Sequence, residues 1–420
     1  MQIENDRILV YSGDFSLQYM GITSTITGVI SYSLVNGMQL EFSGSCKNCD
    51  YPLFGDDLSI QISTPNGQKG EGLLYRMTSN ADEVSVRGIL NYLSAEPVEC
   101  TRWHWSFLNM EKFIGDSIQR ISSKGSSVSL DRLSFKCHDG TMIIMDNLPG
   151  DSANYYQSHL SHQCELIPAD GKAISIDVAD KYILAFSQFI SFVVGRYHGP
   201  ILICGECADG HHYMYHYSRN DNSKVGVSGW LPFPNDKDIE KLWPVFESIW
   251  NGKDRDKADI LSTVIHWYME ANMNSGKMEG AYIMAITGIE MMWNVLLPHK
   301  KENRNNDCMK LFECLFKTKL HKESANQKFQ VLLNMMRYNP SSDASALIQC
   351  RNMLVHYDCR NRKKYQRLTR DQKHDRLEKA LNILALTILY WLGYDGHFAD
   401  RTNSNKWRGA STIMVPWVEQ

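Results

Sequence analysis

The feature that most constrains this chain is a change of period. Up to about residue 221 apolar residues alternate with polar ones, as on a half-buried strand; beyond residue 238 they recur every three or four positions, as on one face of a helix. The two patterns cannot share one element, so the chain holds two differently built parts. Between them, residues 221–238 (DNSKVGVSGWLPFPNDKD) are rich in polar residues, glycine and proline, which places the boundary there. The expected fold class is α+β and multidomain: a β-rich antiparallel N-terminal domain over residues 1–235, followed by an all-α helical bundle over 236–420.

In the first part, residues 8–45 alternate and are rich in Thr, Ser, Val, Ile and Tyr, with Asn36-Gly37 supplying a hairpin turn. Further strand-like runs cover 58–63, 84–93, 98–105, 127–137, 141–145 and 200–204, and 213–217 can pair with the last of these. Pro65-Asn66-Gly67 and Asp139-Gly140 are turn signals between them. One buried helix is expected, over 180–194. In the second part helices are predicted over 239–250, 258–272, 278–296, 308–320, 327–337, 344–357 and 372–392, with breaks near Pro298 and Pro340. Several antiparallel helices on short loops imply a bundle.

Charge divides along the same line. The formal net charge is −3, but residues 1–235 carry 16 basic and 25 acidic side chains, whereas 236–420 carry 28 basic and 22 acidic. An anionic partner is therefore expected at the helical part. The sequence does not open on a basic segment followed by an apolar core. Its longest apolar run, 383–393, is short for a membrane span and follows a charged stretch, so a packed terminal helix explains it better. The eleven cysteines are scattered, several within apolar runs. They read as reduced thiols in a cytoplasmic protein without membrane association.

Within the helix predicted over 344–357 lies RNMLVH, Arg351 to His356. With Leu347 and Leu354 on the buried stripe, Asn352 and His356 fall on the far side, four residues apart and so neighbours along one face. Arg351 sits at the stripe's edge, where a long side chain bends either way. Cleavage of RNA through its 2′-hydroxyl needs proton transfer near neutral pH, which histidine supplies, and a fixed cation against the phosphorane charge, which arginine supplies. Asn352 could orient either group, and no metal is required. A packed histidine and a salt-bridging surface arginine are the plain alternatives.

RNMLVH resembles the Arg-polar-x-x-x-His motif of HEPN domains (higher eukaryotes and prokaryotes nucleotide-binding). The preceding helices ILSTVIHWYMEA and AYIMAITGIEMMWNVL, with Glu290 embedded in the second, resemble the ApeA-like branch found in bacterial anti-phage defence. The resemblance covers roughly 236–394, and the β-rich half also resembles ApeA-type N-terminal regions diffusely. It implies a HEPN-type bundle acting as a metal-independent endoribonuclease in abortive infection, a toxin cutting RNA, tRNA among the candidates, by 2′-hydroxyl attack. Catalysis would fall to Arg351, Asn352 and His356, with Glu290 in support. The motif helices of two copies would face each other, giving a homodimer or higher oligomer through the helical domain. The N-terminal domain would be a sensor or regulator answering a phage-derived trigger. The other reading is a non-catalytic HEPN-like module that binds RNA, nucleotide or protein, and a third is a purely structural oligomerisation domain.

Other constellations were weighed beside it. Residues 360–370 (RNRKKYQRLTR) carry six basic residues and no acidic one. Arg360, Arg362, Lys363, Lys364 and Arg367 are candidates to track RNA phosphates, with Tyr365 as a stacking ring; a solvated loop and helix start is the alternative. No cofactor is expected. Structural zinc would need Cys46, Cys49, Cys204 and Cys207, the two CxxC pairs, to meet in space, with His211, His212 and His216 as substitutes; turn cysteines without metal are the alternative. Glu290 could also be an exposed glutamate. His266 reads as a packing residue, and Trp267, Tyr268 and Trp293 as bundle core. There is no P-loop, dinucleotide-binding glycine turn, GxSxG or HExxH.

Overall fold

A computed structural model of the chain describes residues 6–34, 39–47, 58–80, 83–95, 98–122, 125–149, 158–208, 212–217, 229–273, 277–297, 325–338, 341–355, 358–403 and 409–418. The architecture is α+β. Two compact units form, one of residues 1–188 and 197–224, the other of 189–196 and 225–420. The division falls at 224, and the end of one helix is counted with the second unit.

The first unit is antiparallel β. Strands β1 (Arg7–Tyr19), β2 (Ile22–Ser33), β3 (Gln39–Lys47), β4 (Ser59–Ser63), β5 (Lys69–Ser79) and β6 (Glu83–Ser94) run in the order β3-β2-β1-β4-β5-β6. A further pairing of β3 with β6 joins the ends, so the strands close on themselves as a barrel. Alternation dictates the filling: Phe15, Leu17, Ile26, Ile30, Phe42, Ile60, Ile62 and Leu90 turn inward and are buried. The β1–β2 hairpin turns on Met20 and Gly21, both at positive φ, between the paired Tyr19 and Ile22. Gly28 and Gly44 face each other across β2 and β3, where a Cβ on Gly28 would lie 2.2 Å from the Ser43 carbonyl oxygen. The backbones approach too closely there for any side chain.

From β6 the sheet continues through β13 (His212–Tyr217), β12 (Ile201–Glu206), β7 (Arg102–Leu108), β11 (Leu160–Ile167), β10 (Met142–Asn147), β9 (Gly125–Lys136) and β8 (Asp116–Ser122). The expected pairing of 213–217 with the 200–204 run is present, as β12–β13. Helix α1 (Ile176–Val194) lays Phe186 against Trp105, Phe107 and Phe135, with ring centroids 4.9–6.3 Å apart.

The second unit is helical: α2 (Ile239–Trp250), α3 (Arg255–Asn272), α4 (Lys277–Leu296), α5 (Ala325–Met335), α6 (Ser341–Val355), α7 (Cys359–Gln366) and α8 (Arg370–Trp391), followed by the short hairpin β14 (His397–Ala399) and β15 (Thr412–Met414). Helices α3, α4 and α8 pack together through Leu261, Val264, Ile265, Ile286, Ile289, Leu384 and Ile388, all buried. Gly288 lets α4 approach α8, since a Cβ there would meet Leu384 at 2.9 Å. The last turns of α1 complete this core: Phe189 packs on Trp243 and Phe246, and Phe192 on Trp230 and Tyr268. No described helix is long and apolar enough to cross a membrane; the apolar run 383–393 belongs mostly to α8.

The Asn36-Gly37 turn and the helix predicted over 308–320 lie outside the described residues. Strands β5, β8 and β11 carry no strand signal picked out in the sequence, and α7 forms where a solvated loop and helix start was the alternative reading.

Candidate functional site

Helix α6 carries the motif. Ala344, Leu347, Ile348 and Cys350 bury its inner face, and the Tyr282 hydroxyl of α4 donates to the Leu347 carbonyl oxygen at 2.7 Å. Asn352 is exposed, as the period requires, and Arg351 is half-buried at the edge. Leu354, placed on the buried stripe by its spacing, is only half-covered, and Val355 is exposed: the helix leaves its core at its C-terminal end. His356 lies outside the described residues, so the site comprises Arg351, Asn352 and their neighbours.

Arg351 is gripped from α4. Its Nε lies 3.1 Å from Glu290 Oε1 and its Nη2 donates to Oε2 at 3.4 Å, a two-pronged pair between groups each about a quarter exposed. Its Nη1 donates to Asn352 Oδ1 at 3.3 Å. Glu290 stands in α4 between buried Ile289 and half-buried Met291, where a carboxylate without a partner is costly. The pair meets that need and fixes the plane of the guanidinium. A planar donor group held this way presents a directed positive charge. The same carboxylate competes for that charge with any phosphate that approaches.

Next to Arg351 in the chain, the Cys350 thiol is pushed up by burial, partly offset by the Arg376 guanidinium. Burial likewise raises Tyr282 well above the usual phenol range. Neither group is a nucleophile at neutral pH. They hold α6 against α4 and α8.

Helix α7 begins three residues beyond the motif. Asp358 caps it, accepting from the Asn361 backbone N–H at 2.6 Å. Arg360, Arg362, Lys363, Lys364 and Arg367 are all exposed. Tyr365 is their one inward-facing neighbour. It is buried, its hydroxyl donates to Glu279 Oε1 at 3.1 Å, and Lys373 Nζ stands 4.1 Å from the ring centroid. It cannot stack a base. The period of α7 turns it inward while the charges stay in water. His266, expected to pack, is exposed beside Trp267; Tyr268 and Trp293 are buried as expected.

The four-cysteine zinc arrangement is not seen among the described residues. Cys46 is disulfide-bonded, which removes it as a ligand and departs from the expectation of reduced thiols throughout. Cys49 and His211 lie outside the described residues, as does the side chain of His212. His216 is buried with Nδ1 at 3.4 Å from the Tyr32 hydroxyl, and burial lowers its pKa to about 4. Cys204 and Cys207 are thiols, but the sulfur beside Cys207 is that of Cys100. Among the described residues no group of three or more His, Cys, Asp or Glu is placed to hold a metal ion. The Arg351–Glu290 and Tyr365–Glu279 pairs join residues 61 and 86 apart, which no local pattern announces, although an isolated Glu290 in an apolar helix signalled that some partner must exist.

Residues 254–413 match the YopA C-terminal domain. Residues 95–223 match the YopA central domain. The YopA C-terminal match spans α3 to β15 and includes Glu290, Arg351, Asn352 and the basic helix α7. The YopA central match spans β7 to β13 and includes α1 and the cysteines Cys100, Cys204 and Cys207. The barrel of β1–β6 precedes both. Neither match is to a HEPN or ApeA-like model. No curated protein and no solved structure matches the chain.

Proposed function

We propose that the chain is a metal-independent endoribonuclease of ApeA-like HEPN type, acting in the bacterial cytoplasm in abortive anti-phage defence. The observation that carries this reading is the guanidinium of Arg351, set by Glu290 beside exposed Asn352 at the end of α6, with a helix bearing four exposed cations, and Arg367 just after it, following in the chain. Arg351 would hold the scissile phosphate and balance the phosphorane charge. Asn352 would orient it, and His356, one helical turn on in the sequence, would move the proton between the 2′-hydroxyl or leaving oxygen and water. The cations of α7 would track the RNA backbone. The exposed end of α6, with Val355 open to water, suits a second copy facing it across a shared cleft. The β-rich unit would then regulate the nuclease and respond to a phage-derived trigger.

The chemistry is testable through its products. Internal 2′-hydroxyl attack leaves a 2′,3′-cyclic phosphate and a 5′-hydroxyl. End-labelling and phosphatase sensitivity of fragments made by the full-length protein should give those ends. Fragments with 5′-phosphates would sink this mechanism.

A second reading, a non-catalytic RNA-, nucleotide- or protein-binding module, is favoured by one feature: the Arg351 donors already contact Glu290 and Asn352. An electrophoretic shift of RNA that leaves it intact would select that reading.

A further inference from the structure

Cys207 closes the second CxxC pair, yet its sulfur does not face Cys204. The Cys207 Sγ lies 3.2 Å from the Sγ of Cys100, 107 residues earlier, which is inside the van der Waals contact of two sulfur atoms. Backbone bonds fix both sides of this contact. Cys100 exchanges two hydrogen bonds of 2.9 Å with Ile174, and Thr101 donates to the Glu206 carbonyl oxygen from its N–H at 2.9 Å and from its hydroxyl at 3.0 Å. The residue after Cys100 is thus tied to the residue before Cys207. Gly205 leaves the space into which the Cys100 sulfur fits; a Cβ there would lie 2.4 Å from it. Cys204 occupies the other face of β12: burial alternates Ile203 in, Cys204 half-out, Gly205 in, Glu206 half-out. Burial also differs within the pair, Cys100 being fully buried and Cys207 partly exposed.

We propose that Cys100 and Cys207 form a reversible intramolecular disulfide by exchange with a small-molecule disulfide of the glutathione class. The Cys207 thiolate attacks one sulfur of the small disulfide, forming a mixed disulfide and expelling one small thiolate. The Cys100 thiol loses its proton, its sulfur attacks the Cys207 sulfur, and the second small thiolate leaves. The protein loses two protons and two electrons and gains one S–S bond; the small disulfide is reduced to two thiols that carry the protons. The exposed cysteine is the one a small oxidant reaches, and the buried one resolves the intermediate. Closing from 3.2 Å to a bond of about 2.05 Å asks for a movement of roughly 1 Å between segments already in register. The bond would tie the start of β7 to the end of β12, closing a long loop and raising thermal stability.

Full-length protein would be reduced, exchanged into excess oxidised glutathione, alkylated and digested without reductant. Mass spectrometry is expected to find a Cys100–Cys207 linked peptide that vanishes on adding dithiothreitol and persists in Cys204→Ser. Oxidation should also raise the Tm of the wild type by several degrees more than that of Cys207→Ser, in which the Cys46 disulfide re-forms but the Cys100–Cys207 bond cannot. The idea is overturned if Cys207 links to Cys204, if it stays bound to glutathione, or if both Cys100 and Cys207 are found alkylated after oxidation. The wild-type map decides the matter even if a variant folds poorly.

Discussion

At the scale of single residues, the Arg351–Glu290 pair ties structure to the proposed chemistry. Both groups are partly open to water, so removing one partner should shift stability by only about 1 kcal/mol. Its effect on cleavage should be much larger. Arg351→Ala is expected to lower the rate by roughly 10²–10³, the usual loss for a charge-stabilising donor, with Tm nearly unchanged. Arg351→Lys should not restore it, because an ammonium cannot reproduce the planar fork. Cleavage by Arg351→Ala at the wild-type rate would remove this residue from the mechanism.

A second residue-scale prediction concerns acid. His162 is fully buried beside Phe113, and neither ring nitrogen has a hydrogen-bond partner among the described residues; desolvation lowers its pKa to about 3. His216 falls to about 4 for the same reason. The unfolded chain binds a proton at each near 6.5, the folded one does not. The stability these two neutral rings contribute is complete above pH 6.5 and is lost as pH falls, toward about 4 for His216 and about 3 for His162. Thermal melts should therefore give a lower Tm at pH 5 than at pH 7.5, and His162→Leu should narrow the gap. Equal Tm at both pH values would contradict this account.

At the scale of elements, the helical period matches all but one of the described helices of the second unit, α7 being the exception. Residues 239–250 coincide with α2, and the ends of α3, α4, α5, α6 and α8 fall within a few residues of expectation. Strand β5 was hidden because two inward positions are Gly70 and Gly72, which read as breakers; the structure uses them where β5 and β6 backbones approach, a Cβ on Gly72 lying 2.0 Å from the Ile89 carbonyl oxygen. In β11 the inward residues include His162 and Cys164, too polar or small to register as an apolar face. Tyr365 gives no inward signal in the sequence because charged and polar residues flank it (Lys363, Lys364, Gln366, Arg367), and only the helical turn of α7 reveals that it faces inward. The motif was legible as a spacing, but its bracing by Glu290 needed the fold.

The end of α1 carries an element-scale prediction. Phe189 and Phe192 come from before the junction yet fill the helical core against Trp243, Phe246, Trp230 and Tyr268. A fragment starting at Asp236 would leave Trp243 and Phe246 uncovered and should be poorly soluble. Phe192→Ala in the full chain should cost about 3–5 kcal/mol, read as a lowered urea midpoint. A soluble, cooperatively folding 236–420 fragment would show that these rings are dispensable.

At the scale of the whole molecule, an acidic β-rich part precedes a basic helical part, and the exposed cations of α7 lie in the second. If these cations bind RNA, affinity should fall steeply with salt, and neutralising Lys363 and Lys364 together should flatten that dependence. The proposed nuclease is tested by cleavage of total cellular RNA and tRNA by full-length wild type and by His356→Ala, each with excess EDTA. The account predicts cleavage by the wild type that survives EDTA and is abolished in the variant, with fold and oligomeric state retained. Undiminished cleavage by His356→Ala, or RNA bound and left intact by the wild type, would contradict it.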